Sequence, residues 1–309
     1  MKALLFDRFG GPEVLRYDEF PDPQPREGHA IVRTKAIGLN FADIYRRLGN
    51  YHLVGSPPWI LGYEGAGVIE GTGQRVAFAD SPHANAELVS VAESKLIPLP
   101  DDISFETAAA VLLQGLTAQY LIEDSYRVVS GTRALMHAAS GGVGLMLVQL
   151  AKRAGAHVTA LVSSEEKRVA AREVGADEVR LYGDSEWGNG YDVVYDSVGT
   201  TLGKSIDATR ERGTIVFYGF SGGDPKAVDP RVLMDGSKTL TGGDLWSYLT
   251  SAEERRSRAA RLFEAIRDGV KVTIARTFAL HDGAEAHRFL ESRKAIGKVL
   301  LIPPARPGE

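Results

Sequence analysis

The sequence contains no cysteine, which limits its chemistry before any motif is considered. Without a thiol the chain can form no disulfide, no cysteine nucleophile and no four-thiolate zinc site. Long apolar runs are also missing, because the opening MKALLFDRFGG is interrupted by charge and no later stretch is apolar enough to cross a bilayer. We therefore expect no membrane association and a cytoplasmic location.

An excess of positive charge is lacking too, because the 309 residues carry a formal net charge of −4 at pH 7. This balance gives no electrostatic reason to expect a nucleic acid as partner. What the chain does have is an ordinary globular composition, with 44% hydrophobic and 25% charged residues. Its length allows a substantial core and two domains.

A glycine-rich turn lies at the centre of residues 135–164, a stretch that predicts a strand, a helix and a second strand in succession. Gly141, Gly142 and Gly144 open the helix. Small residues there let a pyrophosphate approach unpaired backbone N–H groups and the positive end of the helix dipole. The turn therefore predicts a dinucleotide site. Ala139 replaces the first glycine of the usual fingerprint, and a glycine turn in another kind of α/β protein is the alternative.

The residues beyond the second strand bear on the choice of cofactor. About twenty residues past the glycines, an NAD-binding unit normally carries an acid for the ribose hydroxyls. This chain has Ser163 and Ser164 there, followed by Lys167 and Arg168. Such a surface can accept a 2′-phosphate, so the sequence favours NADPH. The alternative is that the two cations form the solvated face of the next helix.

The chain changes character near residue 123. Short strands broken by turn residues precede it, whereas strands and helices alternate after it. Such alternation predicts a parallel sheet covered by helices on both faces, with ligands beyond the carboxyl ends of the strands. The loops at 196–199 and 218–223 should then lie at the same edge as the glycine turn. The closing strands suggest a return to the first, β-rich part.

Several motifs occur in the order and spacing of a known family: MKALLFDRFGGPEVL, AIGLNFADIYRRLGNY, LLQGLTAQYL, HAASGGVGLMLVQLAKRAGA, GADEV and GKVLLIP. The chain resembles the zinc-independent medium-chain reductases of the quinone oxidoreductase, or zeta-crystallin-like, type. The resemblance implies an α/β protein with a GroES-like, β-rich catalytic domain at 1–121 and 272–309. It implies an inserted Rossmann domain, a doubly wound parallel sheet, at 122–271. NADPH as cofactor and a homodimer through a sheet edge strand in 237–246 are implied as well.

Comparison with the zinc-using alcohol dehydrogenases predicts that no metal is bound. Those relatives have a cysteine at the position of Asn40 and a histidine at that of Tyr63, and the remaining Glu64 cannot hold zinc alone. We predict hydride transfer from NADPH to a quinone, which leaves a delocalised oxyanion without a Lewis acid. An enone or 2-alkenal reductase differs only in the acceptor. An NADPH-binding sensor or structural protein without turnover is the alternative from another class.

The resemblance also implies which residues form the site. Hydrogen-bond donors facing the nicotinamide are Tyr51, Tyr45 and Asn40, with Tyr51 as a proton-relay or substrate-orienting hydroxyl. The alternatives are a loop residue that shields the cleft for Tyr51 and a packed aromatic side chain for Tyr45.

The implied cofactor-binding residues fall into four groups. The pyrophosphate is held by Ser140, Gly141, Gly142 and Val143, and the adenosine with its 2′-phosphate by Ser164, Lys167, Tyr182 and Arg293. The nicotinamide half is held by Tyr218, Gly219 and Ser221, and its ribose is approached by Gln114 and Thr117. Core polar contacts would also explain the last pair, and surface exposure would explain Arg293.

Overall fold

The structure is a computed structural model that describes residues 1–305; residues 306–309, the end of the predicted 272–309 segment, lie outside the described residues. Its strands are β1 (Lys2–Phe6), β2 (Arg16–Glu19), β3 (His29–Leu39), β4 (Trp59–Ile60), β5 (Gly65–Ile69), β6 (Arg75–Phe78), β7 (Leu88–Ala92), β8 (Ile97–Pro98), β9 (Arg133–Met136), β10 (His157–Val162), β11 (Glu178–Leu181), β12 (Tyr191–Asp196), β13 (Thr209–Phe217), β14 (Thr239–Gly242), β15 (Ile274–Ala279) and β16 (Lys298–Ile302). Its helices are α1 (Phe41–Arg47), α2 (Phe105–Tyr120), α3 (Gly142–Arg153), α4 (Glu165–Glu173), α5 (Leu202–Ala208), α6 (Arg231–Asp235), α7 (Ala252–Arg267) and α8 (Gly283–Glu291).

The chain divides into two compact units. The first contains residues 1–113, 249–267 and 272 to the end of the described chain, and the second contains 114–248 and 268–271. The predicted domain boundaries, 1–121 with 272–309 and 122–271, stay a prediction. The contacts differ from them by placing the division within α2 and by assigning α7 to the first unit. Arg255 of α7 explains the second difference, because it donates to Asp80 Oδ2 at 2.6 Å and to the Ser94 carbonyl at 3.1 Å, both in that unit.

The first unit is built around a seven-stranded, mainly antiparallel sheet in the described chain. Its order is β15-β16-β3-β5-β6-β8, with β7 paired to β3, and a smaller sheet has the order β2-β1-β4. The long strand β3 pairs with β16 through Leu39 and Val299, and with β5 through Ile37 and Gly65. These pairings bring together the end of β3, the start of β5 and the start of β16, which are far apart in sequence.

The second unit contains a six-stranded parallel sheet in the order β11-β10-β9-β12-β13-β14. Strand order reverses between β9 and β12, so the predicted doubly wound parallel sheet is confirmed. One local prediction was wrong: the sequence indicates a helix over 203–213, but α5 ends at Ala208 and β13 begins at Thr209. Thr209 turns the chain into the sheet, and its hydroxyl donates to the Ser205 carbonyl at 2.7 Å.

Helix length bears on the membrane prediction. Among residues 1–305, every helix falls short of the length and hydropathy that crossing a bilayer requires.

Candidate active site

The glycine turn of the second unit leaves the start of α3 open. Gly141 is the N-cap, with φ −75° and ψ 173°, and no described side chain caps the helix. The first-turn N–H groups therefore remain available for an anion. A Cβ on Gly144 would overlap the backbone of Ala138 and Ala139, and one on Gly142 would overlap the Gln114 side-chain amide. Close packing of the backbone thus requires a glycine at 144, whereas a side chain at 142 would displace the Gln114 amide.

Tyr182 holds the turn from the neighbouring part of the sheet. Ala138 lies in the left-handed region, with φ 47°, and its N–H donates to the Tyr182 hydroxyl at 2.8 Å. Burial raises the pKa of Tyr182 well above its usual range, so the hydroxyl stays protonated. The structure thus brings Tyr182 to the turn backbone, and its predicted contact with adenosine stays a prediction.

A buried polar chain continues from Tyr182 into the sheet. His137 Nδ1 lies 3.4 Å from the Tyr182 hydroxyl, and His137 Nε2 lies 3.0 Å from Ser205 Oγ. Ser205 Oγ donates in turn to Asp196 Oδ2 at 2.6 Å. Burial lowers the pKa of His137 to about 4, so the ring is neutral near pH 7. Sequence reasoning missed His137 and Ser205; the only signal for the first is a histidine directly after the apolar strand β9.

The Asp196 carboxylate closes the loop that follows β12. It accepts hydrogen bonds from the Val198 N–H at 2.8 Å, the Gly199 N–H at 3.1 Å and the Thr201 hydroxyl at 2.8 Å. Its side chain is fully buried. The loop therefore lies at the predicted edge of the sheet. The Asp196 carboxylate itself is buried beneath the loop, where it binds the loop backbone.

Lys167 lies in the first turn of α4, which follows β10, the strand next to β9. Ser164 is the N-cap of α4 and accepts from the Lys167 N–H at 3.4 Å, while Lys167 Nζ donates to Ser163 Oγ at 3.1 Å. Arg168 instead pairs with Glu165 on the same helix, with 3.3 Å between Nε and Oε2. Of the two adjacent cations, Lys167 is therefore the one associated with the serines after β10.

The residues predicted for the nicotinamide half follow β13. The Tyr218 N–H donates to the Asp196 carbonyl at 3.0 Å, and Ser221 donates through both its N–H and its hydroxyl to the Ser197 carbonyl, each at 3.0 Å. Gly219 lies between them, and burial raises the pKa of Tyr218 to about 12. The second unit thus brings the loops after β12 and β13 together at one sheet edge.

Three predicted cofactor residues outside these loops, Gln114, Thr117 and Arg293, have different surroundings. Gln114 and Thr117 are both buried on α2, and Gln114 borders Gly142 of the glycine turn. Arg293 belongs to the first unit, where it is exposed just after α8 and has φ 58°. The roles predicted for these residues stay predictions.

The first unit contains a buried ion pair beside Asn40. Lys298 is 1% exposed and Glu64 is fully buried, with 2.5 Å between Nζ and Oε2. Lys298 Nζ also donates to Asn40 Oδ1 at 2.8 Å, and Asn40 Nδ2 donates to Glu64 Oε2 at 3.1 Å. Glu64 Oε1 accepts from the Leu113 N–H at 2.7 Å. Sequence reasoning missed Lys298, whose signal is a lysine opening the apolar strand KVLLI.

Two half-buried tyrosines follow Asn40 in the chain. Tyr45 is on α1 and Tyr51 is in the loop that follows, and their rings meet edge to face with centroids 6.4 Å apart. Asn40, which precedes α1, is also half-buried. The structure therefore brings the two predicted tyrosines together and leaves each partly accessible. Within residues 1–305, no three His, Asp or Glu side chains gather into a metal site.

Comparisons with known proteins agree with both units. Residues 26–81 match the alcohol dehydrogenase GroES-like domain, and residues 142–264 match the zinc-binding dehydrogenase model. A quinone oxidoreductase of Pseudomonas aeruginosa is 40% identical over 98% of this chain and 99% of its own length. The chain belongs to the quinone oxidoreductase family of medium-chain dehydrogenases and reductases. As a member of that family it is an oxidoreductase, and the predicted combination of GroES-like and Rossmann domains is confirmed.

Two further members refine the comparison. A 2-haloacrylate reductase of a Burkholderia species is 36% identical over 98% of this chain and 99% of its own length. The crystal structure of Escherichia coli quinone oxidoreductase complexed with NADPH matches with a TM-score of 0.94 and 37% identity, over 98% of this chain and 100% of that one.

Proposed function

We propose that this family member is an NADPH-dependent quinone reductase that works without a catalytic metal. The observation that carries this proposal is Lys298, whose ammonium group is bonded to both Glu64 and Asn40. The first unit thus supplies a cation of its own beside Asn40, the residue that replaces a cysteine ligand of the zinc-using relatives.

NADPH is the cofactor that the second unit fits. The open first turn of α3 suits a pyrophosphate, and Gly141 keeps that end of the helix free of a side chain. Lys167, which reaches Ser163, provides the positive charge that a 2′-phosphate requires. When bound, NADPH supplies a hydride from its nicotinamide ring. The residues after β13 hold that half of the cofactor in the proposal.

The donor set of the first unit argues against zinc. Catalytic zinc takes about three protein ligands drawn from cysteine, histidine and carboxylate side chains. Here Asn40 offers only an amide oxygen, and Tyr63 replaces the histidine. Both Glu64 oxygens already accept hydrogen bonds, from Leu113 on one side and from Lys298 and Asn40 on the other. Glu64, the one carboxylate of this donor set, is therefore already bonded to other groups of the protein.

The half-buried hydroxyl groups complete the proposed chemistry. Hydride addition to a quinone generates an oxyanion, which hydrogen-bond donors stabilise before a proton arrives. In the proposal the Tyr51 hydroxyl orients the acceptor and serves the proton transfer, with Tyr45 as a further donor. The Asn40 amide is held in one orientation, because its Oδ1 accepts from Lys298 while its NH2 group donates to Glu64 and to the Gly38 carbonyl at 3.2 Å. The predicted contact of this amide with the acceptor would therefore replace one of these two bonds.

A second candidate is reduction of a conjugated C=C bond. The similarity to a 2-haloacrylate reductase favours it, because the acceptor of that relative is an activated alkene by its name. Both reactions place charge on an oxygen conjugated with the reacting carbon.

A single assay separates the candidates. Purified protein is mixed with NADPH and, in turn, with p-benzoquinone, a 2-alkenal and 2-chloroacrylate, and oxidation of NADPH is followed by absorbance. We expect turnover with the quinone, and the same rate after dialysis against a zinc chelator. Faster turnover with the alkenes would favour the second candidate, and loss of activity on chelation would contradict the metal-free proposal.

We also propose that two copies associate through β14. This strand ends the six-stranded sheet of the described second unit, and its residues are only partly covered. An uncovered strand edge can pair with another chain. Light scattering should give the mass of a dimer, and a monomer at micromolar concentration would contradict this. The cytoplasmic location stays a prediction.

A further inference from the structure

Arg46 is a charged side chain in the first unit that the proposed chemistry does not use. It lies near the end of α1 and is 1% exposed. A buried guanidinium group is costly unless its donors find partners. The partners of Arg46 therefore indicate what the side chain holds in place.

Two of its hydrogen bonds hold the loop that follows α1. Arg46 Nε donates to the His52 carbonyl at 3.1 Å, and Nη2 lies 3.3 Å from His52 Nε2. The ring nitrogen must accept, because a guanidinium group has donors only. Nη1 lies 3.5 Å from Asp43 Oδ1 on the same helix. Arg46 thus joins the helix to the backbone and side chain of His52.

Asp43, the carboxylate that pairs with Arg46, is itself held by backbone hydrogen bonds. Burial raises the pKa of Asp43, while Arg46 and two backbone hydrogen bonds act in the opposite direction. Those bonds come from the Asn40 N–H at 2.9 Å and the Gly62 N–H at 3.2 Å. The acid that pairs with Arg46 is therefore fixed to the start of α1 and to a second segment of the unit.

The planar face of Arg46 is covered by tyrosines. Its guanidinium carbon lies 3.8 Å from the centroid of the Tyr63 ring and 5.0 Å from that of Tyr51. Arginine stacks well on aromatic rings, and the interaction strengthens when water is excluded. Tyr51 itself belongs to a segment without helix or strand, so it depends on such contacts for its position.

We propose that Arg46 is a positioning residue that fixes the loop around Tyr51 and so places the Tyr51 hydroxyl for the acceptor. The inference rests on the role of Tyr51 in the proposed function. Arg46 acts through Tyr51 and His52 and does not contact the acceptor. Tyr63, at the position of a zinc ligand in the metal-using relatives, becomes the surface against which this arginine packs.

Steady-state kinetics with NADPH and p-benzoquinone tests the coupling. Misplacing a reacting group by a fraction of an ångström is expensive, so we expect Arg46→Met to lower kcat about 10-fold. Arg46→Lys keeps the charge and should recover part of the loss. In a Tyr51→Phe background, Arg46→Met should cause no further loss. If the two losses multiply, the positioning role is wrong.

Arg47 offers a matched control on the same helix. It is also fully buried, but it donates to the Gly10 carbonyl at 3.1 Å and contacts His287 and Glu291. Any loss of kcat in Arg47→Met should therefore multiply with that of Tyr51→Phe. If Arg46→Met and Arg47→Met had the same effect on kcat in the Tyr51→Phe background, the proposal would be contradicted.

Hydrogen exchange read by mass spectrometry removes the dependence on turnover. Arg46→Met, and to a smaller extent Arg46→Lys, should exchange faster than the wild type at residues 49–56. Equal exchange there would overturn the proposal even if kcat falls. If the wild type oxidises no NADPH with any acceptor, the proposed function fails, whereas the exchange experiment still decides whether Arg46 holds the loop.

Discussion

The two units arrange their candidate functional groups by opposite means. In the second unit the main elements are the backbone N–H groups at the start of α3, within the continuous glycine motif, and the loops at the ends of neighbouring parallel strands. In the first unit they are side chains, and Lys298 and Asn40 are separated by 258 positions. Backbone groups are present whatever the side chain, so a backbone site tolerates substitution except where space is lacking. A buried side-chain cluster depends on each of its members.

The largest expected effect is on the first unit, from Lys298→Met. Removing one partner of a buried ion pair leaves the other charge uncompensated, which costs roughly 3–5 kcal/mol in the free energy of unfolding. Urea unfolding at pH 7 measures the change. Lys294→Met provides a control at an exposed position four residues earlier in the chain.

The partner acid supplies a second check on the same cluster. Adding Glu64→Gln to Lys298→Met removes the unpaired charge, so the double variant should be more stable than Lys298→Met alone. If Lys298→Met lowers the free energy of unfolding by less than about 1 kcal/mol, the ion pair contributes no more than an exposed salt bridge does. The contrast between the side-chain cluster of the first unit and the backbone groups of the second would then be wrong.

A smaller effect is expected on cofactor choice in the second unit, from Lys167→Glu. Loss of a charge-assisted contact to the 2′-phosphate should weaken NADPH binding by roughly 1.5–3 kcal/mol relative to NADH. Titration of the intrinsic fluorescence with each cofactor gives the two dissociation constants. Lys204→Glu on α5 makes the same charge change at an exposed site. An unchanged NADPH to NADH ratio in Lys167→Glu would mean that the phosphate binds elsewhere.

Backbone crowding should dominate at Gly144. Its Cβ would meet the backbone of Ala138 and Ala139, which cannot move aside as a side chain can. We expect Gly144→Ala to lower the free energy of unfolding by about 1–3 kcal/mol and to weaken NADPH binding. Gly203 on α5 has open space around its Cβ position, so Gly203→Ala should leave stability equal or improved. If Gly144→Ala and Gly203→Ala changed the free energy of unfolding equally, close backbone packing would not be the reason for the glycine at 144.

The same contrast explains what the sequence could and could not predict. The turn at Gly141 follows from local spacing, and the parallel pairing of the strands follows from their alternation with helices. Lys298 could not be placed beside Asn40, because that contact depends on how β16 pairs with β3. Arg46 was missed for a related reason: a pair of arginines in a short helix resembles a solvated face until the packing is known. Local motifs are therefore predictable, and clusters that depend on long-range pairing are not.

The last effect concerns pH and the buried histidine of the second unit. Burial lowers the pKa of His137 to about 4 from an ordinary 6.5, although the Asp196 carboxylate acts in the opposite direction. Between these values the unfolded chain binds a proton that the folded chain does not, so stability is complete above pH 6.5 and falls as the pH drops. The slope should be about 1.4 kcal/mol per pH unit.

A variant can separate this contribution from that of the first unit, where burial lowers the pKa of His287 to about 3 and adds the same sign of dependence. His137→Gln removes one titrating group, so the loss of unfolding free energy between pH 7 and pH 5 should shrink by about 2 kcal/mol relative to the wild type. His281→Gln, at an exposed position, is the control. If His137→Gln keeps the full acid sensitivity, the ring is already protonated in the fold, and the neutral link between Tyr182 and Ser205 must be abandoned.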